Sequence, residues 1–184
     1  MTNRFYTKTG DDGYTGQLGQ GRLAKEEARI EALGAIDEAT AALGLARATC
    51  KARLVGKLLL MVQRDLYNLM AEVSASVENA EKFRRIDASR LAWLEEQIDG
   101  LSGQVEIPKE FILPGDSIGS AALDLARTAV RRAERRVAGL QHQGEIENLF
   151  LLRYLNRLSS LCFVAELHEN RTVRKKGPTL AKSV

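Results

Sequence analysis

The chain has 184 residues, of which 45% are hydrophobic and 28% charged, a balance usual for a globular protein with one sizeable core. Its 27 basic and 24 acidic residues leave a net charge of +3, too small to indicate a nucleic-acid-binding protein. No apolar stretch is long enough to span a bilayer and no secretory signal is evident, so we expect a cytoplasmic protein without membrane attachment.

The first half of the chain predicts a loop followed by two long helices. Residues 1–21 are rich in glycine and polar side chains and have no helical period, which indicates an ordered loop or a short extended arm. Apolar residues then recur at helical spacing over 23–48 and again over 52–77. Proline, which disrupts helices, occurs only at three positions of the second half: Pro108, Pro114 and Pro178.

The second half predicts three further helices and a tail. Asp87 is a good N-cap for a third helix, and Asp116 or Ser117 can cap a fourth that extends to about residue 140. A fifth helix should span about 145–170. The basic tail that follows is expected to be mobile and solvated, although its charge could also contact a partner.

Together these elements predict one all-α domain covering 1–184. Its parts are a glycine-rich loop at 1–21, an antiparallel five-helix bundle at 22–170 and a mobile tail at 171–184. The connections between helices are short, which favours antiparallel neighbours.

The N-terminal loop is the first candidate site. Its sequence TKTGDDGYTG (7–16) combines glycines, which allow tight turns, with Lys8 and the hydroxyls of Thr9 and Thr15. Backbone amides in such turns can bind an anion, but a plain turn-rich arm explains the composition equally well. It is not a Walker A motif, because the GKS/T ending is absent.

The fourth helix carries an arginine cluster, RRAERR (131–136). Asp124, Arg127, Arg131 and Glu134 lie three or four residues apart and therefore share one ridge. Arginine suits phosphate binding, while a solvent-facing helix with ion pairs is the alternative. An apolar stripe is predicted on another face of this helix: Ile118, Ala122, Leu125, Ala129, Ala133, Val137 and Leu140.

The fifth helix places Asn156 and Ser160 one turn apart among leucines. A buried asparagine needs a partner, so Asn156 either bonds a buried backbone group or faces a polar cleft. The two histidines, His142 and His168, have no metal-ligand or nucleophile pattern around them. Catalysis would therefore depend on positioning and charge neutralisation rather than on proton transfer, and no protein metal site is expected.

Over residues 6–170 the chain resembles the PduO-type ATP:cob(I)alamin adenosyltransferases. Six segments carry the resemblance in order: YTKTGDDGYTG (6–16), RLAK (22–25), EALGAIDEATAALGLARA (31–48), FILPGDS (111–117), ARTAVRRAERRV (126–137) and RYLNRLSSLCFV (153–164). The resemblance implies a homotrimer of five-helix bundles with active sites between subunits. It also implies transfer of the adenosyl group of ATP, with Mg²⁺, to the cobalt of cobalamin. A corrinoid reductase or an adenosylcobalamin-dependent enzyme would be its protein partners.

The resemblance also implies roles for individual residues. Asp37 and Arg127 match a pair that bridges subunits beside the site, and Phe111 matches a phenylalanine that closes the lower face of the corrinoid. Without that role, Phe111 would pack against the third helix. Arg131 matches both a catalytic and an ATP-binding position. The remaining ATP contacts implied are Thr7, Lys8, Thr9, Gly10, Gly13, Tyr14, Thr15, Lys25, Glu134, Arg135 and Asn156.

Three positions depart from the family pattern. Asp116 stands where the family usually has a second glycine, Asp124 where it commonly has a histidine, and Ser160 where it commonly has an acid. Asp124 is also placed to pair with Arg127, three residues later. A non-catalytic corrinoid carrier that responds to ATP is the alternative to a transferase.

Overall fold

The computed structural model describes residues 6–174 and 177–182. This part of the chain forms a two-stranded antiparallel ribbon, five long helices and one additional single helical turn. The prediction of a mostly helical bundle with five main helices is confirmed. The elements are β1 Tyr14–Gly16, β2 Arg22–Ala24, α1 Ala28–Thr49, α2 Arg53–Ser74, α3 Ala80–Phe83, α4 Ala88–Ser102, α5 Ile118–His142 and α6 Leu149–Arg174.

The helices pack in the order α2, α1, α5, α6 and α4. Helix α1 contacts α2 and α5, and α6 contacts α5 and α4. Near one end of the α1–α5 pair Arg136 lies 3.4 Å from Glu31, while at the other end the thiol of Cys50 is 3.9 Å from the carbonyl of Gly119. Residue numbers therefore run in opposite directions along the two helices, so this pair is antiparallel.

The apolar stripe predicted on α5 is only partly buried. Ala122, Ala129, Ala133, Val137 and Leu140 face the core, but Ile118 is 76% exposed and Leu125 is 54% exposed. With about 100° of rotation per residue, these two positions lie at one edge of the stripe. Helices α1 and α6 cover its centre and leave that edge uncovered.

Several predicted helix boundaries differ from the observed ones: the second helix ends at Ser74 rather than at 77, and the last ends at Arg174 rather than at about 170. The first helix begins at Ala28 because the residues before it pair with β1 as a strand. The last begins at Leu149, where Asn148 accepts a hydrogen bond from the amide of Phe150 at 3.0 Å and ends the preceding turn. The predicted caps Asp87 and Ser117 are both confirmed, accepting from the third helical amide of α4 and α5 respectively.

The C-terminal residues 177–182 do not extend freely from the bundle, as a mobile tail would. They run antiparallel to the connector between α4 and α5, with Ile112 opposite Leu180. The amide of Leu113 donates to the carbonyl of Thr179 at 2.8 Å, and the amide of Ala181 donates to the carbonyl of Phe111 at 2.7 Å. The carboxylate of Asp116 also accepts a hydrogen bond from the amide of Thr179 at 2.8 Å, so a side chain and backbone pairing together hold this segment.

Within the described residues, no helix is sufficiently long and apolar to cross a membrane.

A buried carboxylate caps the start of α2 from a distance. The two oxygens of Glu169 accept hydrogen bonds from the amides of Lys51 at 2.8 Å and Ala52 at 2.9 Å. Ala52, the N-cap residue, has no side chain that could do this itself. Gly119 makes room for Glu169, since a Cβ there would lie 2.7 Å from a carboxylate oxygen and 3.0 Å from Cα of Cys50.

We therefore expect Gly119→Ala to lower the free energy of unfolding by about 1–3 kcal/mol, the usual cost of overpacking. Gly139→Ala is the matched control, because it lies in the same helix and a Cβ there has nothing within 4 Å. Because alanine has a higher helix propensity than glycine, Gly139→Ala should leave the free energy of unfolding unchanged or raise it slightly. Urea unfolding of both variants checks this, and equal stability would contradict the role given to Gly119.

Candidate functional site

The N-terminal loop folds around a single guanidinium group. Arg22 donates hydrogen bonds to the carbonyl of Thr9 at 2.5 Å, to both oxygens of Asp12 at 2.8 Å and to the carbonyl of Tyr14 at 3.1 Å. The hydrogen bond from Arg22 lowers the pKa of Asp12 to about 2. Lys25 also contacts this turn, because its Nζ donates a hydrogen bond to the carbonyl of Gly10 at 2.6 Å.

The loop backbone adopts conformations that few residues allow. Gly13 has a φ of +83°, which costs glycine nothing, but Lys8 also lies in the left-handed region with a φ of 63°. Such a conformation at a non-glycine residue costs about 1–3 kcal/mol and often marks a binding site. Thr7 and Thr9 are linked through their hydroxyls at 2.8 Å, and both are exposed.

The structure thus brings together the predicted loop residues: Thr7, Lys8, Thr9, Gly10, Gly13, Tyr14, Thr15 and Lys25. Sequence reasoning missed Arg22 and Asp12 as the groups that organise them. The sequence did carry a signal for them. Opposite charges stand at two positions of this glycine-rich region, and a tight turn would bring them into contact.

A second group of predicted residues lines a cleft between the connector and helices α5 and α6. The cleft has a volume of about 490 Å³ and is lined by Phe111, Asp124, Arg127, Arg131 and Ser160, among others. Phe111 is 86% exposed, so its ring is not packed against α4 or the core. An exposed apolar ring and two arginines at one cleft suit a large ligand with both apolar and anionic parts.

Arg127 pairs within its own helix. Its Nε donates to the carboxylate of Asp124 at 2.8 Å, which confirms the expected i,i+3 pair. Asp37, the partner implied by the family resemblance, lies exposed on α1 and makes no ion pair with any described residue. The single chain therefore does not join Asp37 to Arg127.

The arginine cluster divides into two pairs with different surroundings. Arg132 and Arg136 form ion pairs with Glu38 and Glu31 on α1. Arg131 and Arg135 are exposed and make no ion pair within the described part of the chain. The interpretation as a solvent-facing helix with ion pairs thus holds for Arg132 and Arg136, whereas phosphate binding by Arg131 and Arg135 stays a prediction.

Glu134 and Asn156 connect α5 with α6. The side-chain amide of Asn156 donates to Glu134 at 2.8 Å, and its oxygen accepts from Arg157 at 2.7 Å. Arg157 also donates to Glu95 on α4 at 2.9 Å. Asn156 therefore satisfies its hydrogen bonds with side chains, and the network fixes the rotamers of Glu134 and Asn156 beside the arginine cluster.

A buried carboxyl lies beside the Asp124–Arg127 pair. Glu166 on α6 is 1% exposed, and neither of its side-chain oxygens has a hydrogen-bond partner within the described residues. Burial, and to a lesser extent the negative charge of Asp124, raises the pKa of Glu166 to about 7. The positive charge of Arg127 lowers this pKa by a smaller amount. The folded protein therefore holds this proton over a pH range in which the unfolded chain has lost it.

This shift predicts a pH-dependent stability. Because the pKa rises from 4.5 to about 7 on folding, the contribution of Glu166 is most favourable below pH 4.5 and decreases as the pH rises to about 7. Glu166→Gln should therefore be more stable than the wild type at about pH 8, by about 1–3 kcal/mol. The difference should become small at about pH 4, since Glu166 is then neutral in both the folded protein and the unfolded chain.

Thermal unfolding at both pH values measures this effect, with the exposed Glu147→Gln as the control. If the difference in stability between Glu166→Gln and the wild type is the same at both pH values, the predicted pH dependence is contradicted.

The loop and the cleft occupy different parts of the bundle. The loop precedes α1, whose first turns lie beside Arg136, whereas the cleft adjoins Arg127 and the connector before α5. Nine residues of helix separate Arg127 from Arg136, which corresponds to roughly 13 Å along the axis. One chain therefore brings the predicted site residues into two groups rather than one.

The chain is similar to known proteins over most of its length. The family model described as "Cobalamin adenosyltransferase" matches residues 5–169. A corrinoid adenosyltransferase of Bacillus subtilis (strain 168) is 39% identical over 167 residues, covering 88% of this chain and 84% of that protein. A corrinoid adenosyltransferase of Mycobacterium tuberculosis (strain ATCC 25618 / H37Rv) is 39% identical over 165 residues, covering 88% and 86%.

A solved structure shows the same fold. It is a variant of a PduO-type ATP:corrinoid adenosyltransferase from Lactobacillus reuteri complexed with cobalamin and ATP. It superposes on this chain with a TM-score of 0.89 at 30% identity, covering 98% of this chain and 97% of that chain. The chain belongs to the cobalamin adenosyltransferase family.

Proposed function

We propose that this protein transfers the 5′-deoxyadenosyl group of ATP to the cobalt of cob(I)alamin, producing adenosylcobalamin and triphosphate. The observation that carries the proposal is the cleft that combines the exposed Phe111 with Arg127 and Arg131 in a chain of this family. A bond forms between cobalt and C5′ of the ribose while the bond from C5′ to the triphosphate oxygen breaks. The electron pair of that bond leaves with triphosphate.

The residues present suit this reaction. Cob(I)alamin is the nucleophile and loses no proton, so no general base is required. The developing charge on triphosphate requires cations, which Lys8, Lys25, Arg131 and Arg135 supply. The described residues contain no cluster of three metal-ligating side chains, so Mg²⁺ would bind mainly through the phosphates of ATP.

Phe111 has a separate role in this proposal. Its exposed ring covers the lower face of the corrinoid and excludes water from the lower axial position of cobalt. Loss of that ligand makes Co(II) easier to reduce, which is the step that generates the nucleophile. A corrinoid reductase would supply the electron, and an adenosylcobalamin-dependent enzyme would use the product.

The complete site forms between subunits of a homotrimer. Two observations support assembly: the loop and the cleft are separated within one chain, and Asp37 has no partner among the described residues. The exposed Ile118 and Leu125 add apolar area on the outside of α5. We expect a trimer in solution, and multi-angle light scattering that returned a monomer would contradict the assembly.

Charge reversal at Arg127 tests the same interface. Arg127→Glu would place an acid beside Asp124 and should weaken assembly and activity together, since an unpaired interfacial charge costs about 2–5 kcal/mol. Arg153→Glu, an exposed position on α6 outside the cleft, is the control.

The visible spectrum of chemically reduced cobalamin mixed with the protein and MgATP tests the activity itself. Conversion of the cob(I)alamin bands to those of adenosylcobalamin, with release of one triphosphate per product, supports the transferase. Binding of both ligands without conversion would instead support the non-catalytic carrier.

A further inference from the structure

We propose that Asp116 is a positioning residue for Phe111. Its carboxylate holds the C-terminal segment 177–182, here named the C-terminal strap, against the connector that carries the ring. The proposal rests on the role given to Phe111 in the proposed function.

The carboxylate of Asp116 contacts the strap and the end of α6. Its two oxygens accept hydrogen bonds from the amide of Thr179 at 2.8 Å and from the hydroxyl of Thr179 at 2.7 Å. The guanidinium of Arg174 forms an ion pair with the same carboxylate. The side chain of Asp116 is only 5% exposed, so these charge-assisted bonds are shielded from water.

The strap in turn fixes the backbone of Phe111. Its carbonyl accepts from the amide of Ala181 at 2.7 Å, and the amide of Leu113 donates to Thr179 at 2.8 Å. Side chains alternate across an extended segment, so the half-buried Ile112 lies on one side and the exposed Phe111 on the other. The pairing with the strap therefore sets the direction of the ring.

Few other contacts restrain this part of the connector. Between residues 106 and 115 of the described chain, the hydrogen bonds at Phe111 and Leu113 are the only ones. A cavity of about 650 Å³ separates the connector from α6, with Pro108, Leu167 and Leu180 in its walls. Without the strap, the connector has space to move and the ring has no contact that would hold it over a ligand.

Substitutions at both ends of the contact test the proposal. Asp116→Ala removes the acceptor, Asp116→Asn retains one acceptor oxygen without the charge, and Thr179→Val removes one donor. Thr172→Val is the matched control, because its hydroxyl bonds only to the carbonyl of His168 within α6. Loss of a charge-assisted hydrogen bond corresponds to about 10- to 150-fold in an equilibrium constant.

Hydrogen exchange of the Leu113 and Ala181 amides should accelerate by about 10-fold or more in Asp116→Ala, less in Asp116→Asn, and not at all in Thr172→Val. The second measurement is the spectrum of bound cob(II)alamin with MgATP, which reports whether a lower ligand reaches cobalt. Asp116→Ala should lose much of the four-coordinate signal while the dissociation constant of MgATP remains unchanged. Asp116→Asn should restore part of that signal.

The outcomes separate this proposal from the proposed function. A wild type with no four-coordinate signal would overturn the role of Phe111 and this proposal with it. If Phe111→Ala loses the signal and Asp116→Ala retains it, the role of Phe111 stands and the positioning role of Asp116 is wrong. Unchanged exchange at Leu113 in Asp116→Ala would also overturn the strap, whatever the spectrum shows.

Discussion

Phe111→Ala is expected to lower turnover from cob(II)alamin by on the order of 100-fold, because a vacated lower face admits water to cobalt and makes reduction harder. Turnover from cob(I)alamin prepared in advance should fall much less, since the difficult reduction has then already taken place. The binding of ATP should remain close to normal, because the loop and the arginine cluster are untouched.

Steady-state kinetics with the two corrinoid substrates measures this asymmetry. Leu113→Ala is the control: Leu113 lies in the same connector and is 50% exposed, but it is not part of the cleft wall. Alanine at Leu113 also retains the amide that bonds Thr179. Equal losses with cob(II)alamin and cob(I)alamin would show that Phe111 positions the corrinoid without excluding a ligand.

Local patterns were sufficient to predict the main helices. Each long helix has a regular apolar stripe, and Asp87 and Ser117 are strong N-cap residues whose effect depends only on the next three amides. The pair between Asp124 and Arg127 was predictable for the same reason, since three residues of helix bring their side chains together.

Contacts between distant residues were not predictable in this way. Asp116 was considered as a helix cap, but its partner Thr179 lies 63 positions away, and nothing in the local sequence indicates that contact. Glu166 lies at the spacing of the buried face of α6, but a carboxylate is usually exposed, so its burial depends on how α6 packs against its neighbours. Ile118 and Leu125 fit the apolar period of α5, although no neighbouring helix covers them.

The candidate site was predictable as a set of residues but not as one place. The family resemblance identified both the loop residues and the cleft residues, and the structure places these two groups apart within one chain. The distance between the two groups follows from the antiparallel packing of α1 and α5, which no short motif encodes.

Arg131→Ala is expected to weaken the binding of MgATP by about 10- to 150-fold, the equivalent of losing a charge-assisted hydrogen bond of about 1.5–3 kcal/mol. Arg131 lines the cleft and has no ion pair among the described residues, so its charge is available for the triphosphate. The helix itself should be unaffected, because alanine is a strong helix former.

Arg132→Ala is the matched control for this prediction. It removes the same side chain from the next position of α5, but Arg132 is paired with Glu38 on α1 and does not line the cleft. Its loss should leave the binding of MgATP within about twofold of wild type and lower stability by at most about 1 kcal/mol, as for an exposed ion pair. Isothermal titration calorimetry with MgATP compares the two variants directly. If both weaken binding equally, the effect comes from the total charge of the cluster, and a specific contact between Arg131 and triphosphate is excluded.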